Sequence, residues 1–194
     1  SNNPISLSQK AILEEALPNT LIHWPNEIID DTEETEKSWD EMYEEWTQNP
    51  VPYGGPDALS MIKDAKEYTY TELSLGYFGI TNLIPISDLG NLEWLDLQNN
   101  SLVNLDSLKS LSNLTIINLS YNNIIDVSHL ADLKNLEFLD VENNNISDLT
   151  PIAELTNIRD LFLSENNITN LLPLSSLQNL ERLVISGNNI SDLS

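Results

Sequence analysis

The chain has no cysteine among its 194 residues, which excludes disulfides, thiol nucleophiles and thiolate metal sites and leaves the redox compartment open. Basic residues are scarce: 8 Lys and Arg stand against 31 Asp and Glu, a formal charge of −23. That balance disfavours nucleic-acid phosphates and anionic lipid, and suits a solvated surface or a basic partner. No apolar run approaches the length of a membrane-spanning helix, so no membrane insertion is expected. Histidine occurs only at His23 and His129, and neither lies in a catalytic or metal-binding spacing. Nucleophile-elbow, zinc-protease, phosphate-loop and EF-hand patterns are all missing. Neither an enzyme activity nor a metal or other cofactor is therefore expected. The chain starts at Ser1 without a basic, apolar leader, which is compatible with a signal peptide already removed.

What the chain does have is a period. Asn100, Asn122, Asn144, Asn166 and Asn188 lie 22 residues apart. Each follows an aliphatic pair: Leu95/Leu97, Ile117/Leu119, Leu139/Val141, Leu161/Leu163 and Leu183/Ile185. Leu73/Leu75 marks a sixth unit, in which Phe78 takes the place of the asparagine. Self-similarity at such a period marks a solenoid. Spacing by two turns both members of each pair to one side of a short strand. Further aliphatics at triplet spacing, such as Leu89 and Leu92 before a pair and Leu102 and Leu105 after an asparagine, suit a tight 3₁₀-like return. One unit cannot close a core, whereas stacked units bury a continuous one. An unpaired buried amide costs about 1–3 kcal/mol, so the asparagines read as a structural ladder that bonds the turn backbones of adjacent units.

The pattern L-x-x-L-x-x-L-x-L-x-x-N-x-I-x-x-L resembles the 22-residue class of leucine-rich repeats. Segments such as LKNLEFLDVENNNISDLTPIAEL and LTNIRDLFLSENNITNLLPLSSL resemble the bacterial internalin family, over residues 69–194. The resemblance implies an α/β solenoid: a right-handed superhelix with a parallel β-sheet on its concave face, 3₁₀ segments on its convex face and a helical N-terminal cap. It also implies a secreted or surface-attached bacterial protein that grips a protein partner with the concave face. The same repeat class occurs in intracellular regulators. A cytoplasmic inhibitor, immunity or regulatory protein directed at a basic partner is therefore the alternative.

Residues beside each inward pair should project from the concave sheet. Trp94, Ile116 and Phe138 then share one column, and Phe162 and Val184 continue it one column over. Asp96, Asp140, Glu142 and Asp160 form an acidic surround, with Asn118 among them in mid-strand. Contiguous apolar groups at solvent-facing positions mark interaction sites, and the acids favour a partner with basic or polar residues around an apolar anchor. The alternative is that these side chains only add cross-strand packing. Six N-x-S/T sequons occur, and a glycan on Asn118 would block this face, which points to an unglycosylated bacterial protein.

Residues 1–68 lack the repeat and read as an acidic helical cap region, ahead of a six-repeat solenoid over 69–194. One helix is expected from Ser8 to about Leu17 and another from Asp57 to about Lys66, with Leu59 and Ile62 inward. Between them Trp39, Met42, Tyr43 and Trp46 fall on one helical stripe, either packed on the first repeat or presented to a partner. The stretch from Leu21 to Asp31 has no regular pattern. His129 is expected on the solvated convex side. At the far end Leu183, Ile185 and Ile190 form an apolar edge without a cap, so either a longer protein or pairing with a second copy is expected.

Overall fold

The structure, a computed structural model, describes Ile5–Ser6, Ile12, Ile28–Ile29 and residues 37–190. It divides into two units, Ser1–Met42 and Tyr43–Ser194. In the first unit, strands β1 (Ile5–Ser6) and β2 (Ile28–Ile29) pair in parallel, where the sequence suggests only helices and breakers. Two residues are too few to display the alternation by which a strand is recognised. The expected helix from Ser8 to Leu17 lies outside the described residues except for Ile12, which is helical and exposed; His23 lies outside them too.

Helix α1 (Trp39–Gln48) starts at Ser38 with a capping box. The Glu41 amide donates to Ser38 Oγ at 3.3 Å, and the Ser38 amide donates to the Glu41 carboxylate at 2.8 Å. That backbone bond, aided by the Ser38 hydroxyl, holds the Glu41 carboxyl below its ordinary range. Along the stripe, Trp39 and Trp46 are buried, and Met42 and Tyr43 are half-buried.

In the second unit the Trp46 ring meets Tyr53 at 5.8 Å, and Lys63 Nζ lies 4.9 Å from the centre of the Tyr43 ring. Helix α2 (Gly55–Glu67) begins two residues before the position read from the apolar pattern. Pro56 suits a first turn, where no amide partner is needed. Its buried face, Ala58, Leu59, Ile62 and Ala65, covers the start of the repeats. The loop before it is tied there as well: the Pro52 carbonyl accepts the amides of Thr81 and Asn82, both at 2.9 Å.

The repeat period sets the sheet. Strands β3 (Glu72–Ser74), β4 (Trp94–Asp96), β5 (Ile116–Asn118), β6 (Phe138–Asp140), β7 (Asp160–Phe162) and β8 (Arg182–Val184) form one parallel sheet in chain order. Every residue pairs with its equivalent one unit on, as Leu73 with Leu95 and Leu95 with Ile117. The inward pairs of β4 to β7 are fully buried, each side chain contributing about 1.5–3 kcal/mol of apolar burial. At the last strand the packing is open: Leu183 is 38% exposed where Leu161 is 0%.

The return paths are 3₁₀ segments at Ile84–Ile86, Asp106–Ser110, Ser128–Leu130, Thr150–Glu154 and Leu172–Ser176. A side-chain oxygen of Asn82, Asn104, Asp126, Asp148 or Asn170 accepts the amide of the first residue of each. Such bonds satisfy a donor that the segment itself leaves unpaired. Just past each strand the chain turns through positive φ, at Tyr77, Asn99, Tyr121, Asn143, Glu165 and Gly187. There the repeat asparagines take over. Asn122 Oδ1 accepts the Leu102 amide at 3.0 Å, while its Nδ2 donates to the carbonyls of Leu97 and Leu119, both at 3.0 Å. Asn100, Asn144, Asn166 and Asn188 make the same three bonds one unit apart.

Candidate functional site

Trp94, Ile116 and Phe138 are register partners on β4, β5 and β6, all half-buried on the face turned away from the core. At about 4.8 Å per strand they span roughly 10 Å. Asp160 and Arg182 extend the same column across β7 and β8. The neighbouring column runs Ser74, Asp96, Asn118, Asp140, Phe162 and Val184. The two columns meet where the Phe138 and Phe162 rings lie 5.3 Å apart with a 40° tilt. The apolar groups therefore make one track that changes column at β6–β7, ending at half-buried Val184. A hollow of about 290 Å³ lies beside it, lined by Thr115, Ile116, Glu137, Phe138, Arg159 and Asp160.

The acids on this face are not equivalent. Asp96 does not project freely as the pattern suggests; it is only 7% exposed. Ser74 Oγ and Gln98 Nε2 donate to its Oδ2 at 3.1 and 3.3 Å, and the Gln98 amide donates to Oδ1 at 3.0 Å. These neighbours fold over a carboxylate that strand position alone would leave in water. Asn118 Oδ1 accepts the Ser120 amide at 3.0 Å and the Ser120 hydroxyl at 2.7 Å. Asp140 Oδ1 accepts the Glu142 amide at 2.9 Å. Among the described residues no Lys or Arg pairs with Asp96, Asp140 or Glu142. The cations of the far end are engaged. Arg159 lies 3.5 Å from both Glu137 and Glu181, and Arg182 lies 3.4 Å from Asp160 and 6.0 Å from the Phe162 ring.

Half-burial raises the Asp140 carboxyl above its usual range; the bond from the Glu142 amide opposes this, and the charges of Glu142 and Asp96 add to it. A raised folded-state pKa means that the folded form binds the proton better than the unfolded form. The resulting penalty is complete above the folded pKa and disappears as pH falls below the unfolded value of about 3.9. Asp140→Asn is therefore expected to stabilise the protein at neutral pH. In urea titrations the gain should shrink on acidification and vanish at the acid end; a gain independent of pH would contradict this origin.

His129 departs from the solvated position expected of it. Its Nε2 lies 2.7 Å from Asp106 Oδ1 of the preceding unit, and its buried Nδ1 has no hydrogen-bond partner among the described residues. The register brings these two side chains of successive return segments together. A second asparagine ladder has its own signal in the sequence, an asparagine directly before Leu114, Leu136, Ile158 and Leu180, 22 residues apart. Asn113, Asn135, Asn157 and Asn179 donate to the carbonyls of Gly90, Ser112, Lys134 and Thr156 at 2.8–2.9 Å. Among the described residues no group of three or more His, Asp or Glu is placed to hold a metal ion. No described helix is long and apolar enough to cross a membrane.

A family model for leucine-rich repeats, two copies long, matches residues 90–132 and again 112–154. No curated protein sequence matches. Among solved structures, internalin C2 of Listeria monocytogenes is 38% identical with a TM-score of 0.63, over 64% of this chain and 55% of that one. Another internalin of the same organism (inlF) is 32% identical with a TM-score of 0.65, over 69% of this chain and 39% of that one. A leucine-rich repeat protein of Leptospira interrogans is 32% identical with a TM-score of 0.58, over 62% of this chain and 32% of that one. The chain thus spans about half or less of the length of each of these relatives. Together with the six-strand parallel sheet and its asparagine-bonded turns, the matches identify the chain as a leucine-rich repeat protein of the 22-residue class that resembles the bacterial internalins.

Proposed function

We propose that the chain is an internalin-like protein-interaction module that holds a protein partner on the outer, concave face of β3–β8. The observation that carries this reading is the apolar track Trp94–Ile116–Phe138–Phe162, half-buried on a sheet face and covered by no other described element. Large side chains placed so cost solubility unless a partner covers them, and aromatic anchors at the centre of a patch carry most of the energy of an interface. Likeness to the internalins supports a bacterial protein that is secreted or displayed on the cell surface. The charge of −23 favours a second reading, a cytoplasmic inhibitor of a basic protein, which would use the same face.

The test compares the protein with a Trp94→Ala/Phe138→Ala variant, each immobilised and exposed to host-cell and bacterial extracts. Both side chains lie outside the core, so thermal unfolding should remain cooperative. Proteins retained by the parent should fall about tenfold or more on the variant, because truncating a central anchor costs on the order of 2 kcal/mol. Equal recovery on both would remove this face as the site.

A further inference from the structure

Three successive units repeat one device on the outer face. A side-chain oxygen of Asp96, Asn118 and Asp140 accepts the amide two residues on, at 3.0, 3.0 and 2.9 Å. Asparagine makes the same bond at Asn118, so the bond needs an acceptor and not a charge. Asp96 and Asp140 nevertheless each carry one. They stand on either side of Asn118, about 10 Å apart across two strand spacings. One is buried and the other half-buried. Withdrawing a carboxylate from water without a counter-charge is unfavourable. Ser74 and Gln98 solvate Asp96 without neutralising it. Arg159, just before β7, and Arg182, on β8, are paired with Glu137, Glu181 and Asp160.

On β4 and β6 an aromatic ring stands two residues before each of these carboxylates, Trp94 before Asp96 and Phe138 before Asp140, on the same face. An aliphatic stem with a charged head has the complementary build: the stem covers rings and the head meets carboxylates. We propose that the partner on this face is a basic segment of another protein, one of whose arginine or lysine side chains seats over Asn118 between Asp96 and Asp140, with its stem against Trp94 and Phe138. This rests on the concave-face reading above and names the chemistry of its partner. Glu142 adds a third negative group at the same end, and the upward shift of the Asp140 pKa reports a desolvated charge that a cation would relieve.

The probe is a displayed library of random linear peptides selected on the immobilised protein. Enriched peptides should carry Arg or Lys beside an aromatic or aliphatic residue. Their affinity should fall roughly 30-fold or more on Asp96→Asn/Asp140→Asn, the loss expected when one side of a close, desolvated charge pair is removed. Asn118 shows that asparagine keeps the local bond, and thermal unfolding of the variant should be no lower than that of the parent. Asp126→Asn/Asp148→Asn is the control. It makes the same change of net charge at the return segments, where Asn82, Asn104 and Asn170 already fill the equivalent role, and it should leave affinity unchanged. Peptides without basic residues, or bound equally by Asp96→Asn/Asp140→Asn, overturn the cationic seat. If those peptides are lost on Trp94→Ala/Phe138→Ala, the concave-face reading survives; if they are not, it falls too. Failure to enrich any sequence overturns the basic-segment assignment.

Discussion

Asn122→Ala is expected to lower stability by about 3–5 kcal/mol in urea titrations, far more than an ordinary polar substitution. The side chain is 7% exposed, and its loss leaves the buried Leu102 amide without an acceptor. The carbonyls of Leu97 and Leu119 fare better, since each retains one donor, from Asn100 and Asn144 respectively. The orphaned donor, together with the loss of all four bonds of the side chain, accounts for the size of the effect. Asn122→Asp should be at least as damaging near neutral pH despite its matching shape. It sets a carboxylate oxygen about where Nδ2 now lies, 3.0 Å from each of two carbonyl oxygens, and adds a charge that water cannot reach. Asn188→Ala makes the contrasting case: that residue is only half-buried, so water can replace part of what is lost. A cost below about 1 kcal/mol for Asn122→Ala would contradict a ladder that holds the units together.

The contrast also explains what could be read from the chain. An L-x-L pair at a constant offset permits one stacking register, so the partnership of Trp94, Ile116 and Phe138 follows from counting residues. The contact of Phe138 with Phe162 does not, because it crosses two columns and depends on how both rings lean. Burial of Asp96 was equally hidden. It arises from Ser74 one unit earlier and Gln98 two residues on, neither of which is distinctive by itself. In α1 the capping box Ser38–Glu41 has a recognisable S-x-x-E spacing, while the β1–β2 pair has no local pattern from which to infer it. Repetition exposes what every unit shares; what distinguishes one unit from the next, and so what distinguishes one partner from another, lies in side-chain neighbours that the period does not encode.

At the other end of the repeats, Gly54→Ala is expected to cost about 2–5 kcal/mol, combining left-handed backbone strain with overpacking. Gly54 has φ of +89° between the turn Val51–Tyr53 and helix α2. A Cβ there would lie 2.8 Å from Ile80 Cγ1 and 2.9 Å from the Cβ atoms of Ala58 and Phe78. Two of those three atoms are fixed to the backbone, so relief requires helix α2 or the first repeat to move. Phe78 stands in the slot that asparagine fills in later units, and Ile80 donates its amide to Asn100, so displacement would reach the start of the ladder. Gly55 supplies the comparison. Its φ is +83°, yet a Cβ on it meets nothing within 4 Å. Gly55→Ala should therefore cost only the backbone part, about 1–2 kcal/mol. Urea midpoints of the two variants, measured at a common slope, separate strain from crowding; equal midpoints would show that close packing of the loop on Phe78 and Ile80 does not hold the first repeat closed.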